Sequence, residues 1–166
     1  MINKKICMLG AFSVGKTSLV SQYVHSVFSD KYLSTVGVKI SKKMLVRNGQ
    51  EISLVLWDME GKDIYADINT SYLRGAMGFF VVADGMRRET LEIALSLRET
   101  VFTLLGPTPH RLLINKADMQ DKWEITPAMV DTLHESGVPL LLTSAKTGMA
   151  VEEAFIELTD EMMRRR

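Results

Sequence analysis

The stretch Gly10 to Thr17, G-A-F-S-V-G-K-T, has residue types and spacing suited to holding phosphate, and it fits the pattern G-x-x-x-x-G-K-[ST]. Gly10 and Gly15 free the backbone to turn its N–H groups inward, which makes a nest for an anion. Lys16 would set an ammonium on the terminal phosphates, and the Thr17 hydroxyl suits a magnesium ion. A helix opening at this point brings the positive end of its dipole to the same charge. The loop by itself specifies phosphate, not a particular nucleotide. Three more polar clusters stand out, at Asp58 to Gly61, Asn115 to Asp118 and Ser144 to Lys146.

The elements around these clusters decide whether they meet. Ile6 to Leu9 is a short apolar run ended by Gly10, as expected of a strand buried on both faces. Leu19, Val20, Tyr23, Val24 and Val27 recur at helical spacing, which predicts a helix stopping near Phe28. Ser29 to Val38 shows no clean period and reads as a loop. Lys39 to Arg47 and Glu51 to Asp58 read as an antiparallel pair joined at Asn48-Gly49, a type I′ hairpin signal. Met59 to Tyr72 reads as a loop leading into an irregular helix. Gly78 to Asp84 reads as a buried strand, and Arg111 to Asn115 and Leu140 to Thr143 read as strands. Between and after them lie helices from Thr90 to Leu105, from Pro127 to the Gly137-Val138-Pro139 stop, and from Val151 to Arg166.

Strands alternating with helices imply a single α/β domain over residues 1–166: a three-layer sandwich whose mostly parallel six-stranded sheet has one antiparallel edge strand and helices on both faces. Ligands of such sheets bind beyond the carboxyl ends of the strands. All four clusters directly follow predicted strands, so all four should converge on one site.

Twenty basic and 20 acidic side chains leave no net field to draw nucleic acid or an anionic membrane. Cys7 is the only cysteine, so no disulfide forms within the chain, and a reducing, cytoplasmic setting is expected. Neither a signal peptide nor a run of about eighteen apolar residues is present. The R-R-R ending has no cysteine behind it for a prenyl group, so no intrinsic membrane anchor is expected.

Taken together, the motifs resemble those of the Ras-superfamily small GTPases over essentially the whole chain. The phosphate loop, Thr35 of the first switch, D-M-E-G at Asp58 to Gly61, N-K-A-D at Asn115 to Asp118 and S-A-K at Ser144 to Lys146 match in order and spacing, and S-Y-L-R-G-A-M-G-F at Ser71 to Phe79 is similar to the Rab branch. The resemblance implies that GTP and GDP, with a magnesium ion, are held by Gly10, Ser13, Val14, Gly15, Lys16, Thr17 and Ser18, by Phe28 across the base, and by Asn115, Lys116, Asp118, Ser144, Ala145 and Lys146. Asp118 accepts from the ring N–H and the exocyclic amine of guanine, a donor pair that adenine lacks; sites built on such bonds can reject analogues by roughly 10⁴-fold. Asn115 ties base to phosphate loop, the Lys116 stem covers the ring, and Ala145 offers a backbone N–H. Thr35 completes the metal shell when a γ-phosphate is present, Asp58 holds the ion through water, and Gly61 gives its N–H to the γ-phosphate. Both loops would then order with GTP and relax on hydrolysis.

Two departures bear on catalysis, for which Lys16, Thr35, Gly61 and Lys62 are the candidates. Lys62 replaces the usual glutamine that orients the attacking water, and Phe12 replaces a small residue. Slow intrinsic hydrolysis is expected, in a family where a partner's arginine finger adds about 10³–10⁵. Lys62 either lends its charge to the transition state or is a solvated side chain. A locked module that binds GTP or GDP with little turnover is the alternative to the switch, and a phosphotransferase is disfavoured by N-K-A-D, S-A-K and the lack of an acceptor lid.

Effector, exchange factor and GTPase-activating protein would approach a monomer through the switches. There Ile40, Trp57 and Tyr72 occupy the positions of the Rab aromatic triad, with Val36, Val38, Met59 and Ile64 as candidates to extend it, half of these residues having the core as the alternative. Met59, in place of a small residue, would also repack the second switch. His25, His110 and His134 are widely separated and carry no catalytic expectation, the 11 methionines read as core filling, and Arg87-Arg88 reads as a solvated charge pair.

Overall fold

A computed structural model of the chain describes residues 1–29, 37–59 and 70–165. In chain order its elements are β1 (Ile2–Gly10), α1 (Lys16–His25), β2 (Val38–Arg47), β3 (Gln50–Met59), β4 (Gly78–Asp84), α2 (Arg88–Leu105), β5 (His110–Asn115), α3 (Pro127–Glu135), β6 (Leu140–Thr143) and α4 (Val151–Arg164), with 3-10 turns at Thr70–Leu73 and Ala117–Lys122. The strands form one sheet in the order β2-β3-β1-β4-β5-β6. Only β2 runs antiparallel to its neighbour, β3; the other pairs are parallel. This is the expected α/β sandwich with one antiparallel edge.

Successive residues of a strand face opposite sides, so a strand covered on both faces must be apolar throughout. In β4 all seven residues are buried. Phe80 and Val82 pack on one face with Leu19, Tyr23, Phe155 and Leu158 of α1 and α4. Phe79, Val81 and Ala83 pack on the other with Leu91, Ala94 and Val101 of α2. Tyr23 stacks on Phe155 with ring centroids 3.9 Å apart, locking α1 to α4. Arg47 and Asp160 pair through two hydrogen bonds of 2.9 and 2.7 Å, tying the hairpin tip to α4. Asn48 and Gly49 both have positive φ, 53° and 76°, the conformation that a type I′ turn requires.

Two boundaries differ from the sequence reading by three or more residues, and others by one or two. The first helix stops at His25, not near Phe28, because Ser26 turns left-handed at φ 54° and its N–H closes on the Gln22 carbonyl. Val27, placed on the apolar stripe by periodicity, is therefore outside the helix and 55% exposed. The first strand also begins four residues early: Ile2 to Lys5 ladder with Ile52 to Val55 of β3, and backbone pairing needs no apolar side chain.

His110, at the start of β5, stacks on Phe79 and meets Phe102 edge-on. It borders a cavity of about 600 Å³ shared with Arg111 and Glu161, at the opposite end of β5 from Asn115. Arg98 Nε donates to its Nε2 at 2.8 Å, so the ring proton sits on Nδ1, 3.1 Å from the Thr108 carbonyl. Burial, aided by the Arg98 and Arg111 charges and opposed by Thr108 and Glu161, holds this imidazole below its usual pKa. An unfolded histidine takes up a proton near pH 6.5 while the folded one stays neutral, so stability should fall as pH drops through 6.5 toward the depressed folded value. Thermal melts from pH 7.5 to 5 should show a steeper loss for the parent than for His110→Gln; equal slopes would rule the histidine out as the cause.

Candidate functional site

Gly10 ends β1 against β4, where a Cβ would lie 2.6 Å from the Val82 carbonyl oxygen. Gly15, at φ 104°, starts α1, and a Cβ there would lie 2.2 Å from Asn115 Nδ2. Between them the loop turns around Ser13, itself left-handed at φ 63°. Lys16 is 6% exposed and donates through Nζ to the carbonyls of Gly10 at 3.0 Å and Ala11 at 2.9 Å. Burial lowers its pKa to about 8, with Asp58 opposing the shift and Arg87 adding to it. The loop thus curls around its own ammonium, which is available to an anion of stronger charge than a carbonyl.

Asp58 ends β3 beside β1 and is 1% exposed; Thr17 Oγ1 donates to its Oδ2 at 2.5 Å. A hydroxyl and a buried carboxylate in contact are hard oxygen donors of the kind magnesium takes, the remainder of its shell coming from phosphate and water. The residues present therefore fit that ion.

Asn115, at the end of β5 and 2% exposed, joins three segments. Its Nδ2 donates to the Val14 carbonyl at 3.0 Å, and its Oδ1 accepts from Thr143 Oγ1 and from the Ala145 N–H, each at 3.2 Å. Lys116 reaches the Ser13 carbonyl at 3.2 Å. Asp118 is exposed and accepts from Ser144 Oγ at 2.7 Å, while the Thr147 N–H holds Ser144 Oγ from behind at 3.1 Å. The clusters after β1, β5 and β6, together with Asp58 of the cluster after β3, are thereby gathered beyond the carboxyl edge of the sheet. Ser18 is half-buried in α1, Lys146 is exposed, and Phe28 lies past the helix with 37% of its surface exposed. Thr35, Val36, Gly61, Lys62 and Ile64 lie outside the described residues.

On the adjoining surface, Ile40 of β2 pairs with Trp57 of β3 and is 50% exposed, and Trp57 meets Tyr72 at 6.0 Å between ring centroids. Val38 packs partly against the core. Met59 does not extend this patch: it is 4% exposed and belongs to the buried cluster that holds Cys7, Leu9 and Leu73, the core alternative.

Sequence reasoning passed over Asp84 and Trp123 and read Arg87 as a solvated side chain. Asp84 closes β4 and receives Lys116 Nζ at 2.8 Å and Arg87 Nε at 3.0 Å. Arg87 is therefore not a solvated member of a charge pair. Trp123 covers Gly85, where a Cβ would lie 2.0 Å from the indole, and donates to the Lys116 carbonyl at 2.9 Å. The available signal was a fifth polar residue at a carboxyl strand end, the acid closing the apolar run G-F-F-V-V-A-D.

A family model described as Ras family matches residues 5–164. The Ras-related protein Rab-13 of Bos taurus is 32% identical over 161 residues, covering 96% of this chain and 79% of that protein. Rab-1C of Dictyostelium discoideum is 31% identical over 163 residues, covering 95% and 80%. Rab-3C of Bos taurus is 33% identical over 158 residues, covering 94% and 70%.

Proposed function

The chain belongs to the Ras family of small GTPases, on its Rab-like branch, and from that membership we propose that it is a guanine-nucleotide switch that binds GTP and GDP with magnesium and hydrolyses GTP slowly. The observation that carries the guanine reading is Asn115. One buried side chain bonds the phosphate loop at Val14, the sheet at Thr143 and the S-A-K loop at Ala145, so the phosphate and base sites are built as one body.

Lys16 exchanges its two loop carbonyls for phosphate oxygens, and the N–H groups of the loop and the first turn of α1 take the rest of the charge. Thr17 and Asp58 hold the metal, directly and through water. Magnesium, when bound, offsets charge on the phosphate oxygens. Asp118 reads guanine, Lys116 lies along it, and Phe28 closes over it. Thr35 and Gly61 sense the γ-phosphate, so that its loss releases both switches. The product of hydrolysis, GDP, stays in the cradle until an exchange factor opens it. Effectors meet the exposed apolar surface of Ile40, Trp57 and Tyr72 on a monomeric single-domain protein in the cytoplasm.

Slow turnover follows from Lys62 and Phe12. Lys62 has no amide with which to orient the attacking water, and a ring at Phe12, 50% exposed, crowds the approach of an arginine from a partner. In single-turnover assays, Lys62→Gln should hydrolyse GTP about tenfold faster than the parent, as expected of a restored water-positioning contact. A Lys62→Ala variant as fast as the parent would deny Lys62 a catalytic role. The same two residues favour the second reading, a GTP-locked interaction module. Following [γ-³²P]GTP decides between them: released phosphate supports the switch, and intact bound GTP supports the module.

A further inference from the structure

Asp84 is a buried carboxylate, 1% exposed, at the carboxyl end of β4. Its Oδ1 accepts the Met86 N–H at 2.9 Å, and its Oδ2 accepts Arg87 Nε at 3.0 Å and Lys116 Nζ at 2.8 Å. Thr90 fixes the backbone beneath it, accepting from the Asp84 N–H at 2.8 Å and donating to the Arg87 carbonyl at 2.6 Å. A buried charge needs such partners, and both of these cations reach onward. Arg87 Nη2 donates to the Phe12 carbonyl at 2.7 Å and Lys116 Nζ to the Ser13 carbonyl at 3.2 Å. Asn115 takes the Val14 carbonyl at 3.0 Å. Three consecutive carbonyls of the phosphate loop are therefore each held from outside by a different side chain.

In a planar trans peptide the carbonyl and the following N–H point in opposite directions. Holding the carbonyls of Phe12, Ser13 and Val14 outward consequently turns the N–H groups of Ser13, Val14 and Gly15 toward the concave side. Asn115 and Lys116 already belong to the proposed nucleotide site; Arg87 does not. We propose that Arg87 is a positioning residue for phosphate binding: anchored on Asp84, it holds the Phe12 carbonyl and so aims the Ser13 N–H into the cradle. The proposal rests on the nucleotide reading above. It also distinguishes a guanidinium from a bare cation at this position: Arg87 reaches Asp84 through Nε and Phe12 through Nη2, two nitrogens set apart in one planar fork, whereas a lysine at 87 would have to reach both oxygens from a single nitrogen, as Lys116 does from its own place.

The test compares the parent protein with Arg87→Ala and Arg87→Lys, each loaded with GDP and magnesium. Release of a fluorescent GDP should be about tenfold faster in Arg87→Ala, the scale of one hydrogen bond to a charged group. In ¹H–¹⁵N spectra of the GDP complexes the Ser13 amide should move while the Ala145 amide, on the base side, stays in place. Arg87→Lys should release GDP nearly as fast as the alanine variant. An unchanged release rate and Ser13 resonance in Arg87→Ala would overturn the proposal, and so would full rescue by lysine, which would reduce Arg87 to a bare charge. A parent protein that fails to bind GDP at all would overturn the nucleotide reading and this proposal with it, a result distinct from a parent that binds and a variant that matches it.

Discussion

Gly15→Ala is expected to remove guanine-nucleotide binding, with affinity for GDP falling by about 10³-fold or more while the sheet stays folded. Two costs combine. At φ 104° an L side chain is strained, by about 1–3 kcal/mol for such backbone outliers. The added methyl would also lie 2.2 Å from Asn115 Nδ2, a contact that cannot persist. Asn115 cannot simply rotate away, because the same amide holds Val14, Thr143 and Ala145. Moving it leaves several buried polar groups unpaired at about 1–3 kcal/mol each. Phosphate cradle and base loop then lose their common tie. The control is Gly49→Ala at the hairpin tip, where φ is 76° and nothing lies within 4 Å of the new Cβ. It carries the backbone cost without the collision, so it should lower the melting temperature by a few degrees and leave GDP affinity at the parent value. Calorimetric titration with GDP, with circular dichroism to verify the fold, separates the two. Parental affinity in Gly15→Ala would mean that the loop does not hold the ligand through this geometry.

The features legible in the sequence are those whose cause is local. Continuous apolar runs identified β4 and β6 to the residue; β4 is buried along its whole length, as a strand covered on both faces must be, while β6 is a half-buried edge strand whose run is bounded by Pro139 and Ser144. Asn48-Gly49 announced its turn through backbone preference alone. Pro127 opens α3 behind Thr126, whose Oγ1 accepts the Met129 N–H at 3.2 Å. Where the cause is tertiary, local reading fell short. Ile2 to Lys5 are polar in part and become strand only because β3 lies alongside. Met59 looked like surface next to a switch and is core because the fold brings it into the buried cluster that holds Cys7, Leu9 and Leu73. Arg87 and Asp84 are three residues apart at a strand end, and nothing in that spacing tells that the fold carries Phe12, 75 positions away in sequence, to the guanidinium. Motif spacing located the phosphate loop, N-K-A-D and S-A-K, but the bonds that join them, Asn115 to Val14 and Ser144 to Asp118, depend on β5 lying between β4 and β6.

In the proposed site base recognition falls to Asp118, an exposed carboxylate, and Asp118→Asn should both weaken GTP binding, by about 10²–10⁴-fold, and turn the preference toward a xanthine nucleotide. A carboxylate accepts at both oxygens and so meets the two donors of guanine. An asparagine in its place offers one oxygen and one amine, and Ser144 decides which goes where. The Ser144 hydroxyl accepts the Thr147 N–H at 3.1 Å and donates to Asp118 Oδ1 at 2.7 Å. Its donation pins the amide oxygen of the variant at the Oδ1 position and forces the NH₂ group to where Oδ2 was. That amine then faces a guanine donor, and two donors repel. Xanthine carries a carbonyl where guanine carries its exocyclic amine, so the same NH₂ group gains an acceptor. Removing the hydroxyl with Ser144→Ala frees the amide to flip, so the double variant should discriminate less between the two bases than Asp118→Asn alone. Displacement of a fluorescent GDP by GTP and by xanthosine triphosphate gives both affinities in one experiment. Undiminished GTP affinity in Asp118→Asn would remove Asp118 from base recognition and leave the phosphate loop without a guanine reader.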